Sequence, residues 1–227
     1  MKNKSSLISV VRNRRAFLFD MDGVLNDTMP AHCRAWIQAF RKFFDVEITE
    51  REIYLREGEK SQKSVPEILS AHSIRISKKE CEDFLKHKAG LFTRFDTVPF
   101  FKGVPEMITG MKAFKTLGLV TGTQKREVKR LLPKTFLKNF QAIVTCDDVS
   151  HGKPHPEPYL RALELLKLSA SEALVIENAP LGIRSAKAAG IMVCAIATSL
   201  PAKELKEADF ILKEHREWFD ILKSGHL

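Results

Sequence analysis

Apolar and polar positions along the chain follow two rhythms. Short apolar stretches recur at Ala16–Phe19, Leu117–Val120, Ala142–Thr145, Ala173–Ile176, Ile191–Ile196 and Asp209–Leu212. They have the length and composition of buried strands. Segments with helical spacing lie between them. These are Pro105–Phe114, opened by proline in its first turn, Lys125–Leu132, Pro156–Leu166, and Gly182–Ala189, closed by Gly190. Strands alternating with helices predict an α/β fold built on a parallel sheet with right-handed crossovers. Ligands in such sheets bind beyond the carboxyl ends of the strands.

Residues 29–98 break the rhythm, because nothing in them alternates like a strand. Apolar residues at Ala35, Trp36, Ala39, Phe40 and Phe43 mark a helix that starts near Pro30. Thr49 followed by Glu52 forms a capping-box pattern before another helix. Val65–His72 and Lys78–Phe95 complete the set, with Ser77 as the cap of the last. The expected organisation is an α/β core from residues 1–28 and 99–227, interrupted by an all-helical insertion at 29–98.

Composition narrows the partners. The formal charge is +9, but Lys and Arg are scattered and aromatics make up only 8 %. No basic stripe carries interleaved stacking residues, so no nucleic-acid partner is expected. A mildly anion-attracting surface remains. Cys33, Cys81, Cys146 and Cys194 are widely spaced, which suits reduced thiols in a cytoplasmic protein. The basic stretch Met1–Arg15 is too short in apolar residues for a signal peptide, and no apolar run matches a membrane span. The expectation is a cytoplasmic monomer with no membrane partner.

Four polar stations fall at strand ends. Asp20 and Asp22 follow the first strand two positions apart, with Gly23 after them. Buried charge is costly unless a metal or a reaction uses it, and crowding pushes the pKa values of such a pair apart. One carboxylate then serves as nucleophile and the other as general acid; an ordinary acidic turn is the alternative. Thr121-Gly122-Thr123 opens a helix, where a hydroxyl and free N–H groups form either an anion site or a simple cap. Lys153 sits between Gly152 and Pro154, held in a turn from which it can neutralise a carboxylate or a phosphate oxygen. Glu177-Asn178 ends an apolar strand, and oxygen ligands there suit a hard cation such as Mg²⁺.

In this order and spacing the stations resemble the haloacid dehalogenase superfamily of phosphotransferases. The helical insertion, with His32 and Trp36 near its start, looks like the small helical cap of the β-phosphoglucomutase-like branch. The resemblance implies a Rossmann-like core of the haloacid dehalogenase type and a Mg²⁺-dependent enzyme acting on a small phosphorylated metabolite. By it, Asp20 is the nucleophile and Asp22 the acid and base. Thr121 and Lys153 bind the phosphoryl group, helped by Gly122 and Thr123, and Lys153 keeps Asp20 ionised. Mg²⁺ lies between Asp20, the Asp22 main-chain carbonyl, and Glu177 or Asn178. Asn178 stands where the family most often has aspartate, so the metal site is short of one charge unless Glu177 supplies it. In the cap, His32, Lys60 and Lys88 are the candidate substrate contacts, with Arg56, Glu57, Ser61 and Lys63 in the same region. Gly58 would let the Arg56–Lys63 loop approach the site. A phosphatase and a sugar phosphomutase both fit this chemistry, and a non-catalytic phosphate-binding regulator is a more distant reading.

Overall fold

The computed structural model describes residues 4–93 and 98–225. Six parallel strands form one sheet in the order β3-β2-β1-β4-β5-β6. They are β1 (Ala16–Phe19), β2 (Thr116–Val120), β3 (Ala142–Val144), β4 (Ala173–Glu177), β5 (Met192–Ile196) and β6 (Phe210–Leu212). β1 is central. Phe19 pairs with Leu119 on one side and Ile176 on the other. The strand order reverses between β1 and β4, the position at which open α/β sheets present a crevice to ligands.

Every residue of β1 is buried, and its alternate side chains serve two cores. Phe17 and Phe19 join Leu117, Leu119, Leu174 and Ile176 on one face. Ala16 and Leu18 join Val120, Val144, Val175 and Val193 on the other. The second face is covered by α9 (Glu157–Leu166) and α10 (Pro180–Ala188). The first is covered by α6 (Val104–Met111), α7 (Lys125–Leu131) and two terminal helices, α1 (Lys4–Asn13) and α11 (His215–Ser224). The apolar pattern did not reveal these last two. α1 buries only Leu7 and Val11. It is tied down by α11, through Arg12 donating to the Ser224 carbonyl at 2.8 Å, and so depends on a neighbour distant in sequence. A short turn of helix, α8 (Lys134–Leu137), was also unforeseen.

Between β1 and β2 the chain is helical, in α2 (Met29–Phe44), α3 (Glu50–Tyr54), α4 (Ser61–Ala71) and α5 (Lys78–Phe92). Both capping boxes form. Glu52 N–H donates to Thr49 Oγ1 at 3.2 Å, and Glu80 N–H to Ser77 Oγ at 3.2 Å. α4 begins at Ser61, earlier than the apolar spacing indicated, because its first turn carries polar residues. The end of the expected Lys78–Phe95 helix, residues 94 and 95, lies outside the described residues. These helices enclose their own apolar cluster, including Phe40, Val65, Leu69 and Phe84. Phe40 and Phe84 have ring centroids 4.7 Å apart. The chain leaves and rejoins the core along one seam. Asp27 N–H donates to the Pro99 carbonyl at 2.9 Å and Phe101 N–H to Leu25 at 3.1 Å. The four cysteines are free thiols. No helix among the described residues is long and apolar enough to cross a membrane.

Candidate active site

Beyond the carboxyl end of β1, Asp20 and Asp22 are both buried. Lys153 arrives from the loop before α9. Its ammonium lies 2.6 Å from Asp20 Oδ1 and 2.6 Å from Glu177 Oε1, and donates to the Val120 carbonyl at 3.2 Å. One cation thus bridges the ends of β1 and β4. Asp22 accepts hydroxyl hydrogen bonds from Thr28 at 2.5 Å and Thr123 at 2.8 Å. Thr121 is farther, its hydroxyl 3.4 Å from Asp22, and it accepts the Thr123 N–H at 3.0 Å. The three core stations expected to meet do meet.

Glu177 takes a different place from the one expected. Its Oε1 receives Lys153 and the Tyr159 hydroxyl, the latter at 2.9 Å. Its Oε2 accepts the main-chain N–H groups of Asn178 and Ala179 at 3.0 and 3.2 Å. Four donors occupy both oxygens, so Glu177 anchors Lys153 and offers no free oxygen to a metal ion. Asn178, fully buried at the adjacent strand end, has an Oδ1 with no hydrogen-bond partner among the described residues. An orphaned buried acceptor is costly in a dry site and is the kind of oxygen a hard cation satisfies. Asp20, the Asp22 carbonyl and Asn178 Oδ1 therefore fit the donor set for Mg²⁺, without Glu177. Gly23 makes room for this, at φ 78°; a Cβ there would overlap the Asn178 amide.

The helical insertion roofs the site. Gly58, at φ 84°, lies against Gly122, and a side chain on either would collide with the other's backbone or with Lys153. This is the close approach expected of the Arg56–Lys63 loop. Asp20, Asp22, Gly122 and Thr123 form the floor of a cavity of about 100 Å³, with His32, Trp36, Glu57, Ser61 and Lys88 among its walls. It adjoins a larger cleft of about 290 Å³ that shares His32, Ser61, Lys88, Gly122 and Thr123 with it. His32 Nε2 is 3.6 Å from Asp22 Oδ1, and Lys88 Nζ is 3.0 Å from His32 Nδ1. The imidazole stacks on Phe92, with centroids 3.9 Å apart.

Lys60 departs from expectation. Its ammonium donates to the Val149 carbonyl at 2.8 Å, tying the insertion to the core, and it lines the neighbouring cleft instead of the Asp20 cavity. Arg56 and Lys63 are held by Glu59 and Glu67 within the insertion. Glu57, one of the cap residues singled out in the sequence, reaches the core. Both its oxygens accept from Asn178 Nδ2, at 2.9 and 3.0 Å.

Charge is out of balance here. Burial pushes the Asp20 carboxyl up to about 8 against the pull of Lys153, with Glu177 and Asp22 adding repulsion. Lys153, shared with Glu177, does not by itself hold Asp20 in the usual carboxylate range. The Lys153 ammonium is desolvated, yet Asp20 and Glu177 together hold it well above its ordinary value. Burial also raises Asp22, but His32, Thr28 and Thr123 outweigh it and bring that carboxyl below its ordinary value. Burial and Lys88 lower His32, and burial lowers Lys88 to about 8. Glu57 is raised well above its usual range by burial and by Asp20.

Comparison with known proteins agrees with this geometry. The family profile of haloacid dehalogenase-like hydrolases matches residues 17–196. A phosphorylated carbohydrates phosphatase of Thermotoga maritima is 32 % identical over 218 residues, covering 92 % of this chain and 98 % of its own. The validoxylamine A 7'-phosphate phosphatase of Streptomyces hygroscopicus subsp. limoneus is 29 % identical over 202 residues, covering 88 % and 93 %. A Bacteroides vulgatus structure, provisionally described as a β-phosphoglucomutase, superposes with a TM-score of 0.83 at 30 % identity, covering 98 % and 97 %. The chain belongs to the haloacid dehalogenase-like hydrolases.

Proposed function

We propose that the protein is a Mg²⁺-dependent phosphatase of a small phosphorylated metabolite in the sugar-phosphate class, working through an aspartyl-phosphate on Asp20. The observation that carries this reading is the Lys153 ammonium 2.6 Å from Asp20, whose carboxylate shares a cavity with Asp22. The Thermotoga relative's activity on phosphorylated carbohydrates supports the substrate class.

An Asp20 oxygen attacks phosphorus, and the bond to the leaving alkoxide breaks. The site alone favours a proton on Asp20 over Asp22; that proton passes to Asp22 as Asp20 is freed to attack, and Asp22 delivers it to the leaving oxygen. Asp22 then takes a proton from water, whose oxygen attacks phosphorus and releases phosphate and free Asp20. Two moderate barriers replace one high one. Lys153 and the hydroxyl and N–H groups of Thr121–Thr123 hold the phosphoryl oxygens as charge redistributes. The insertion acts as a cap, excluding bulk water and selecting the leaving group through His32 and Lys88. Bound by Asp20, the Asp22 carbonyl and Asn178, Mg²⁺ would supply the positive charge that lets two anions approach.

Asp20→Asn should lower turnover of a generic phosphate ester by at least about a thousandfold, and a chelator should stop the wild-type enzyme reversibly. Substantial Mg²⁺-dependent turnover by the variant would sink the nucleophile assignment. Enzyme indifferent to chelation would sink the metal. A mutase is the second reading, favoured by the likeness to the Bacteroides structure. Incubation with β-glucose 1-phosphate and a bisphosphate primer separates the two. Release of phosphate selects the phosphatase, and isomerisation without release selects the mutase.

A further inference from the structure

We infer that Glu57, carried by the cap, supplies the charge that Asn178 leaves missing from the metal site, so that cation binding and cap closure are one linked event. This rests on the metal-dependent reading above.

Three observations meet at one point. Asn178 is neutral where a carboxylate would carry charge, and its Oδ1 is buried with no partner among the described residues. The same amide's Nδ2 donates to both oxygens of Glu57 and to Ser199 Oγ at 3.0 Å. Glu57 shares the cavity with Asp20 and Asp22. The amide is therefore oriented by a cap carboxylate on one end and left with an open acceptor on the other.

The pairing has a direction. A neutral amide tolerates a carboxylate at 2.9 Å, whereas an aspartate at position 178 would repel it. Asn178 and Glu57 thus act as a matched pair, one charge relocated from the floor to the lid. Among the described residues no cation pairs with Glu57; Arg56 and Lys63 of the same loop are engaged with Glu59 and Glu67. A divalent ion bound to Asn178 Oδ1 would balance Asp20, Asp22 and Glu57 together. Glu57 adjoins Gly58, whose backbone lies against Gly122, so its contact with Asn178 belongs to the lowered cap. Any affinity it adds for the ion is then added equally to closure.

The experiment is a double-mutant cycle on the full-length, unphosphorylated protein, titrated with Mg²⁺ by calorimetry. Small-angle scattering at each end point reads the cap. Glu57→Gln should raise the Mg²⁺ Kd about tenfold and abolish the Mg²⁺-induced compaction. In an Asn178→Asp background, where the floor carries its own charge, Glu57→Gln should change Kd less than twofold. Equal effects in the two backgrounds, or wild-type affinity in Glu57→Gln, would overturn the inference and leave the phosphatase reading intact. A wild-type protein that takes up no Mg²⁺ would overturn the metal-dependent reading itself.

Discussion

Lys153 and Glu177 show how far a residue's identity carries. A lysine between glycine and proline at the right station was legible as the partner of Asp20, because few residue types can neutralise a buried carboxylate. The hydrogen-bond partners of Glu177 were not legible, because the surroundings of a carboxylate depend on the donors that packing brings to it. Tyr159 and the N–H groups of Asn178 and Ala179 come together only in the fold. Asp148 makes a similar point in a testable way. Its oxygens receive Thr145 N–H at 2.9 Å, Thr145 Oγ1 at 2.6 Å and Lys125 Nζ at 2.8 Å. Burial raises this carboxyl, but Lys125 and Thr145 outweigh it and hold it below its ordinary value. A depressed pKa means stability present in full above the unfolded-state pKa and lost as pH falls through the folded one. Asp148→Ala should cost about 1 kcal/mol at pH 7, the scale of a few hydrogen bonds and a half-exposed ion pair. Denaturant titrations should find that deficit shrinking toward zero below pH 4. A deficit unchanged at low pH would mean that packing, not charge, is lost.

At the level of elements, the strands were legible because a sheet covered on both faces demands continuous apolar runs, and β1 and β4 have them. Helices with their own stop signals were legible too: the Thr49 and Ser77 capping boxes formed as the pattern indicated. α11 was not, since its polar residues dominate the average and its apolar ones, Trp218, Ile221 and Leu222, need a partner surface to be recognised. Yet it helps to cover one face of the sheet. Trp218 is fully buried, with its ring centroid 5.9 Å from that of Phe17 in the central strand. Trp218→Ala should destabilise the protein by about 3–5 kcal/mol, the range for truncating a large buried aromatic. Thermal unfolding should show it as a large drop in Tm, with kcat on a phosphate ester at 25 °C little changed in the protein that remains folded. An effect under about 1 kcal/mol would mean that the C-terminal helix is peripheral.

For the molecule as a whole, the seam between the two parts has a mechanical consequence. Leu25–Asp27 and Pro99–Phe101 run antiparallel, joined by main-chain hydrogen bonds and an Asn26–Phe100 bridge. A pair of strands bonded edge to edge bends easily about one axis and resists twisting about the others. A swing of the helical part would therefore hinge here, beside Asp22, whose carboxylate Thr28 also holds. The same seam makes the helical part detachable. Replacing residues 28–98 with a short Gly-Ser turn should leave a folded core, because β1 and β2 pair directly and the helical part has its own apolar cluster. Circular dichroism should show a cooperative melt. The trimmed enzyme should also lose discrimination among phosphate esters of different leaving groups, since nothing would remain above the floor to judge them.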